Sequence, residues 1–136
     1  MKKYELLPTP DPHTGLFRIK ALRSFGDVEA GDLGGWIGTE ASLSHKGHCW
    51  VHDNARVYGD ARVFGYARVY GNAQVCDDAQ VYGDAQVSGS AKVYENAQVC
   101  GNAWVYENAE VSGSAKVTGQ ARVGGNETVS YTTESS

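Results

Sequence analysis

The stretch Ala55-Arg56-Val57-Tyr58-Gly59-Asp60-Ala61-Arg62-Val63-Phe64-Gly65-Tyr66-Ala67-Arg68-Val69-Tyr70-Gly71-Asn72 repeats every six residues. The period runs on in both directions. Valine recurs at each sixth position from Val51 to Val129, and alanine stands two residues before it from Ala55 to Ala121. Cys49 and Glu127 take the alanine position at the two ends. A helix of about 3.6 residues per turn cannot keep such a period on one face. Two apolar residues spaced by two, followed by a pair drawn mostly from Gly, Asp, Asn and Ser, describe a short strand and a turn. Ala and Val then point inward and the residue between them outward. Gly, Asn and Asp at the turns tolerate positive φ. One such loop of chain cannot bury its apolar face, but stacked loops can, at about 4.8 Å per step. The expected fold is an all-β solenoid.

The register extends upstream through Gly35-Trp36-Ile37 and Ala41-Ser42-Leu43, then loses phase by two residues around Ser44–Gly47. Residues 4–7 and 16–22 are apolar enough for strands, with Phe17, Ile19 and Ala21 sharing a face, and the Pro-rich stretch between them is a turn. Residues 1–34 therefore read as a small N-terminal β cap that shields the first sheet edge. Residues 35–129 read as the solenoid and 130–136 as a polar C-terminal tail, frayed or weakly paired.

The 136 residues suffice for one domain. Net charge is −4 and 21% of residues are charged, so no basic nucleic-acid footprint is expected. There is no apolar run of membrane-spanning length and no signal-type start, so a cytoplasmic, non-membrane protein is expected. Cys49, Cys76 and Cys100 form no Cys-x-x-Cys, and a disulfide scaffold is not expected.

The aliphatic-x-x-x-small-x pattern, matched by every hexad from Val57 to Val123, resembles the hexapeptide-repeat, left-handed parallel β-helix proteins. The resemblance implies three hexads per triangular coil, a left-handed winding and frequent trimers. Residues 18 apart then stack. Arg56, Arg62 and Arg68 fall on three faces and make no basic patch. One outward column is Trp50, Arg68, Gln86, Trp104 and Arg122, rich in the residues favoured at binding surfaces, and it is the candidate trimer interface. The other columns are Arg56-Gln74-Lys92-Glu110 and Arg62-Gln80-Gln98-Lys116. After the valines run His52-Tyr70-Ser88-Tyr106, Tyr58-Cys76-Tyr94-Ser112 and Phe64-Tyr82-Cys100-Thr118, expected to be structural ladders. Asn54, Asn72, Ser90, Asn108 and Asn126 are expected to bond amide to amide. Asp60, Asp77, Asp78 and Glu95 make an acidic corner, read as solvated, with a cation or a basic partner as the alternative.

His45, His48 and His52, with Cys49 among them, have zinc-compatible types but no standard spacing, so no metal site is expected. In this family the enzymes are acyltransferases using acetyl-CoA or acyl carrier protein, with a general-base His, an excursion loop and a helical segment beyond the solenoid. Here the hexads from 51 to 123 run without insertion, and no catalytic residue or cofactor is expected. The stretch Leu16–Val28, followed by Gly31-Asp32-Leu33-Gly34-Gly35-Trp36-Ile37 and Leu43-Ser44-His45, is similar to the cap of phage- and prophage-associated hexapeptide-repeat proteins, the YdcK-like group. That resemblance implies a non-enzymatic solenoid that binds a host protein or small ligand, such as an inhibitor of a host defence system acting in the host-cell cytoplasm. The alternative is a CoA-dependent acyltransferase with His45, His48 or His52 as base. A DNA mimic would need a continuous acidic face, which one corner beside Arg56 and Lys92 does not supply.

Overall fold

In a computed structural model, which describes residues 2–130 and the backbone of 133–135, the hexads stack as three parallel sheets. The first face runs Arg56, Gln74, Lys92, Glu110, Thr128, each strand paired with the one 18 residues on. The second runs Arg62, Gln80, Gln98, Lys116. The third runs Trp50, Arg68, Gln86, Trp104, Arg122. Val always lies over Val, and the Ala and Val side chains are buried along the whole axis. The N–H groups on either side of each valine donate to the next coil, as Arg68 to Ala85 O (3.0 Å) and Tyr70 to Val87 O (2.9 Å). No sheet of the solenoid needs a side chain to close it.

Three antiparallel strands cover the N-terminal end: β1 (Tyr4–Leu6), β2 (Phe17–Ala21) and β3 (Leu33–Ile37). The last of these also opens the solenoid, since Trp36 and Ile37 pair in parallel with Arg56 and Val57. The expected loss of phase is present. Trp36 and Leu43 pair with residues 20 further on, whereas Trp50 pairs with Arg68, 18 further on. The loop that follows Leu43, after the short 3-10 turn Glu40–Ser42, absorbs the two extra residues. At the other end the solenoid does not stop at Val129. The backbone of Thr133–Ser135 pairs with Val117–Gly119 and extends the second face. Residues 131, 132 and 136 of the expected tail lie outside the described residues.

Every corner from residue 53 to residue 125 has one residue at positive φ. Glycine holds most of them, and crowding reinforces the choice: a Cβ on Gly83 would come 2.9 Å from Gly101 N. The four exceptions are all acidic: Asp53, Asp77, Glu95 and Glu107. Each accepts a hydrogen bond from the backbone N–H 18 residues on. Asp77 Oδ2 takes Glu95 N–H (3.0 Å), and Glu95 Oε1 takes Gly113 N–H (2.9 Å). Asp53 and Glu107 do the same for Gly71 and Gly125. The carboxylate offsets the left-handed strain by capping an amide of the next coil.

Two outcomes follow for stability. In urea titrations Asp77→Gly stays within about 0.5 kcal/mol of the parent, while Asp77→Ala, which keeps the strain and loses the acceptor, falls about 1–2 kcal/mol below it. Trp50→Ala, which empties the interface between cap and solenoid, costs about 3–5 kcal/mol.

Candidate functional site

The third face carries the column expected to bind partners, and the structure divides it. Trp50 does not belong to that surface: it is 2% exposed, its ring edge-on to Tyr4 (6.1 Å) and Phe25 (5.3 Å). The cap folds over this first rung, so the apolar ring there seals the open end of the core instead of meeting a partner. Arg68, Gln86, Trp104 and Arg122 remain on the surface. Arg122 lies over the Trp104 ring at 5.5 Å, and Trp104 Nε1 donates to Ser88 Oγ at 3.3 Å. Arg68 reaches Asp27 of the cap at 3.8 Å, both half-exposed, a contact of small energetic weight.

Outward residues are held by a recurring link 16 apart. Tyr58, Tyr70 and Tyr82 donate to the side-chain oxygens of Gln74, Gln86 and Gln98, and Tyr94 donates to Glu110. The Glu110 carboxylate beside it pushes the Tyr94 phenol pKa up. The Asn column is different from expectation. Among the described residues no side-chain hydrogen bond joins Asn54, Asn72, Asn108 and Asn126. Their coils are joined there by backbone instead, as Asn72 N–H to Gly89 O at 2.8 Å. The acidic corner is real as a place, with Asp60, Asp77, Asp78 and Glu95 all exposed on one edge. Two of its members, Asp77 and Glu95, are the amide caps described above, which leaves Asp60 and Asp78 as its uncommitted carboxylates.

The three histidines of the phase break have separate fates, and no group of three or more His, Cys, Asp or Glu converges among the described residues. His45 stacks on Tyr4 at 4.1 Å. Its Nδ1 accepts Lys3 N–H (3.1 Å), which puts the ring proton on Nε2, facing Glu40 Oε2 at 3.4 Å. No lone pair is left for a substrate. His48 is exposed against Tyr66 and Phe25. His52 sits in a groove of about 210 Å³ with Asp27, Asp53, Arg68, Tyr70 and Gln86. Burial lowers its pKa below the ordinary histidine range, with Asp27 and Asp53 opposing and Arg68 adding to the fall. Its imidazole is therefore neutral at neutral pH and has the form of a base.

Sequence reasoning missed the pair beneath the cap. Lys3 is fully buried, donating to Cys49 O (2.7 Å) and Gly47 O (3.4 Å), with Cys49 Sγ at 3.4 Å and the Phe25 ring at 4.8 Å. Burial lowers the Lys3 pKa and raises that of the Cys49 thiol, and each partly counters the other. A lysine at position 3, beside Lys2, carries no pattern that marks it as buried. The only available signal was Cys49 at a position that is alanine in every hexad from Ala55 to Ala121.

Comparison with known proteins agrees with this architecture. The family described as YdcK Beta solenoid repeat matches residues 55–71, 73–89, 79–95 and 97–113. A protein of Escherichia coli (strain K12), named uncharacterized acetyltransferase YdcK, is 47% identical over 45 residues, which is 32% of this chain and 14% of that protein. The match thus spans about one seventh of the relative's length. The matched repeats are the ones stacked in the register described above, so the chain carries YdcK-like β-solenoid repeats.

Proposed function

We propose that the chain is a non-enzymatic binding or scaffold protein that assembles as a trimer through its third face. The observation that carries this reading is the exposed column Arg68-Gln86-Trp104-Arg122. A half-buried Trp is fixed there by Ser88 and covered by an arginine, on a sheet whose backbone is locked into the coils on both sides. Aromatic and arginine side chains held in this way lose little entropy on association. Arg68 and Arg122 would meet their copies across a symmetric contact, and Asp27 beside Arg68 supplies compensating charge. Light scattering at micromolar concentration is expected to give three times the chain mass, and Trp104→Ala with Arg122→Glu to give a folded monomer with an unchanged far-ultraviolet circular dichroism spectrum. A strict monomer for the parent protein would sink the reading. Capture of a host defence protein from lysate on the parent, lost on the double variant, is the finer outcome.

The His52 groove favours a second reading, acyl transfer from CoA with His52 as base, and the name of the Escherichia coli relative points the same way. Calorimetric titration with millimolar acetyl-CoA decides it: no heat of binding removes this reading. The histidine leaves a signature of its own. Its folded pKa is depressed, so between about pH 6.5 and that lower value the unfolded chain binds more protons, and stability falls as pH falls. Asp11 and Glu40 have carboxyl pKa values held low by their hydrogen bonds and lose stability only further into acid. Denaturation midpoints at pH 7.5 and 5.5 are expected to differ for the parent and to converge for His52→Asn.

A further inference from the structure

On the second face the ladder of side chains that follows each valine is incomplete at its upper end. Phe64 and Tyr82 stack with centroids 4.8 Å apart and planes 3° from parallel, at the spacing of the coils themselves. Ser44 stands in the next rung. Its N–H donates to Val63 O (2.9 Å) just as the Phe64 N–H donates to Val81 O (3.0 Å), so it occupies the ladder position without supplying a ring. A groove of about 560 Å³ opens there, lined by Leu43, Ser44, His45, Glu40, Arg62 and Phe64 among others. Ser42 Oγ, between the groove residues Ala41 and Leu43 in sequence, is buried with no hydrogen-bond partner among the described residues.

The charges around the groove are not equivalent. Glu40 is engaged on both oxygens, by Lys2 Nζ (2.9 Å) and His45 Nε2 (3.4 Å). Arg62 is exposed and has no carboxylate within ion-pair distance among the described residues. The uncommitted charge is therefore positive. Arg62 and Phe64 flank the inward Val63, about 6.6 Å apart along the strand. Both side chains line the same groove, so the guanidinium and the ring face share one opening. We propose that this groove binds a planar aromatic anion, its one or two fused rings laid on Phe64 where the ladder lacks a rung and its carboxylate or phosphate held by Arg62. The volume suits a ligand of that size. Stacking and a paired guanidinium are two separate interactions, so a ligand with only one of them binds more weakly.

The test uses the full chain and 2-naphthoate in calorimetric titration, with cyclohexanecarboxylate and 2-naphthamide as the probes that lack the aromatic ring or the charge. Saturable sub-millimolar binding of 2-naphthoate is expected, with each of the other two weaker by at least about fivefold. Phe64→Leu and Arg62→Gln are each expected to weaken 2-naphthoate by a similar factor at unchanged melting temperature. Arg62→Gln alters only an exposed side chain and serves even if Phe64→Leu unfolds. No saturable binding to the parent overturns the proposal. Equal affinity for cyclohexanecarboxylate, or indifference to Arg62→Gln, overturns it as well.

Discussion

The structure depends on one constraint: each coil must place its backbone 18 residues from the next, so that Val lies on Val and every outward N–H finds the carbonyl below. Side chains do not set this spacing, because from Val51 to Val123 the inward positions hold only Ala and Val. A two-atom change inside would leave a void or a clash repeated along an axis with no room to relax. An inserted residue within a hexad would turn the following valine outward and break the pairing of two coils. Insertions are therefore tolerated only where one neighbouring coil is missing. The two extra residues between Leu43 and Trp50 lie where the coil has no complete rung above it, and the cap is folded to cover that place.

The same constraint governs the corners. Each needs a left-handed residue, and at most glycine corners an added Cβ would come about 3 Å from the next coil's backbone, so glycine fits without strain. Where the chain departs from glycine it does so with an acid whose carboxylate reaches the amide one coil below. Asp77 and Glu95 stand in successive coils, so their like charges are close. Each is nevertheless held by an N–H donor, and this makes the acidic edge a by-product of corner chemistry for half of its members.

Period six made the architecture legible, because strand, turn and inward face all follow from it, and residues 18 apart stack as the resemblance implied. The two-residue loss of phase was legible for the same reason. Trp50 was misplaced because the period describes a rung's direction and says nothing of what covers it. A Trp pointing outward from the first rung points into the cap, against Tyr4 and Phe25. Lys3 was missed on similar grounds: its burial depends on a contact 46 residues away that no local pattern encodes. The Asn column failed differently. Stacked amides were expected to bond to each other, but the backbone N–H groups at that corner already join the coils, and this removes the need.

A regular solenoid leaves little free chemistry. Three of its outward glutamines accept from tyrosines one coil above, its four left-handed corner acids accept from amides, and its inward residues are apolar. The repeat is imperfect in two places: at the phase break, where Ser44 replaces a ring above Phe64, and on the third face, where Arg122 lies over Trp104. Recognition of a partner or ligand needs uncommitted donors, charges and ring faces held in place before binding. The partner contact and the ligand groove proposed for this protein rest on those two irregular places, and the uniform coils between supply the rigidity that keeps them in position.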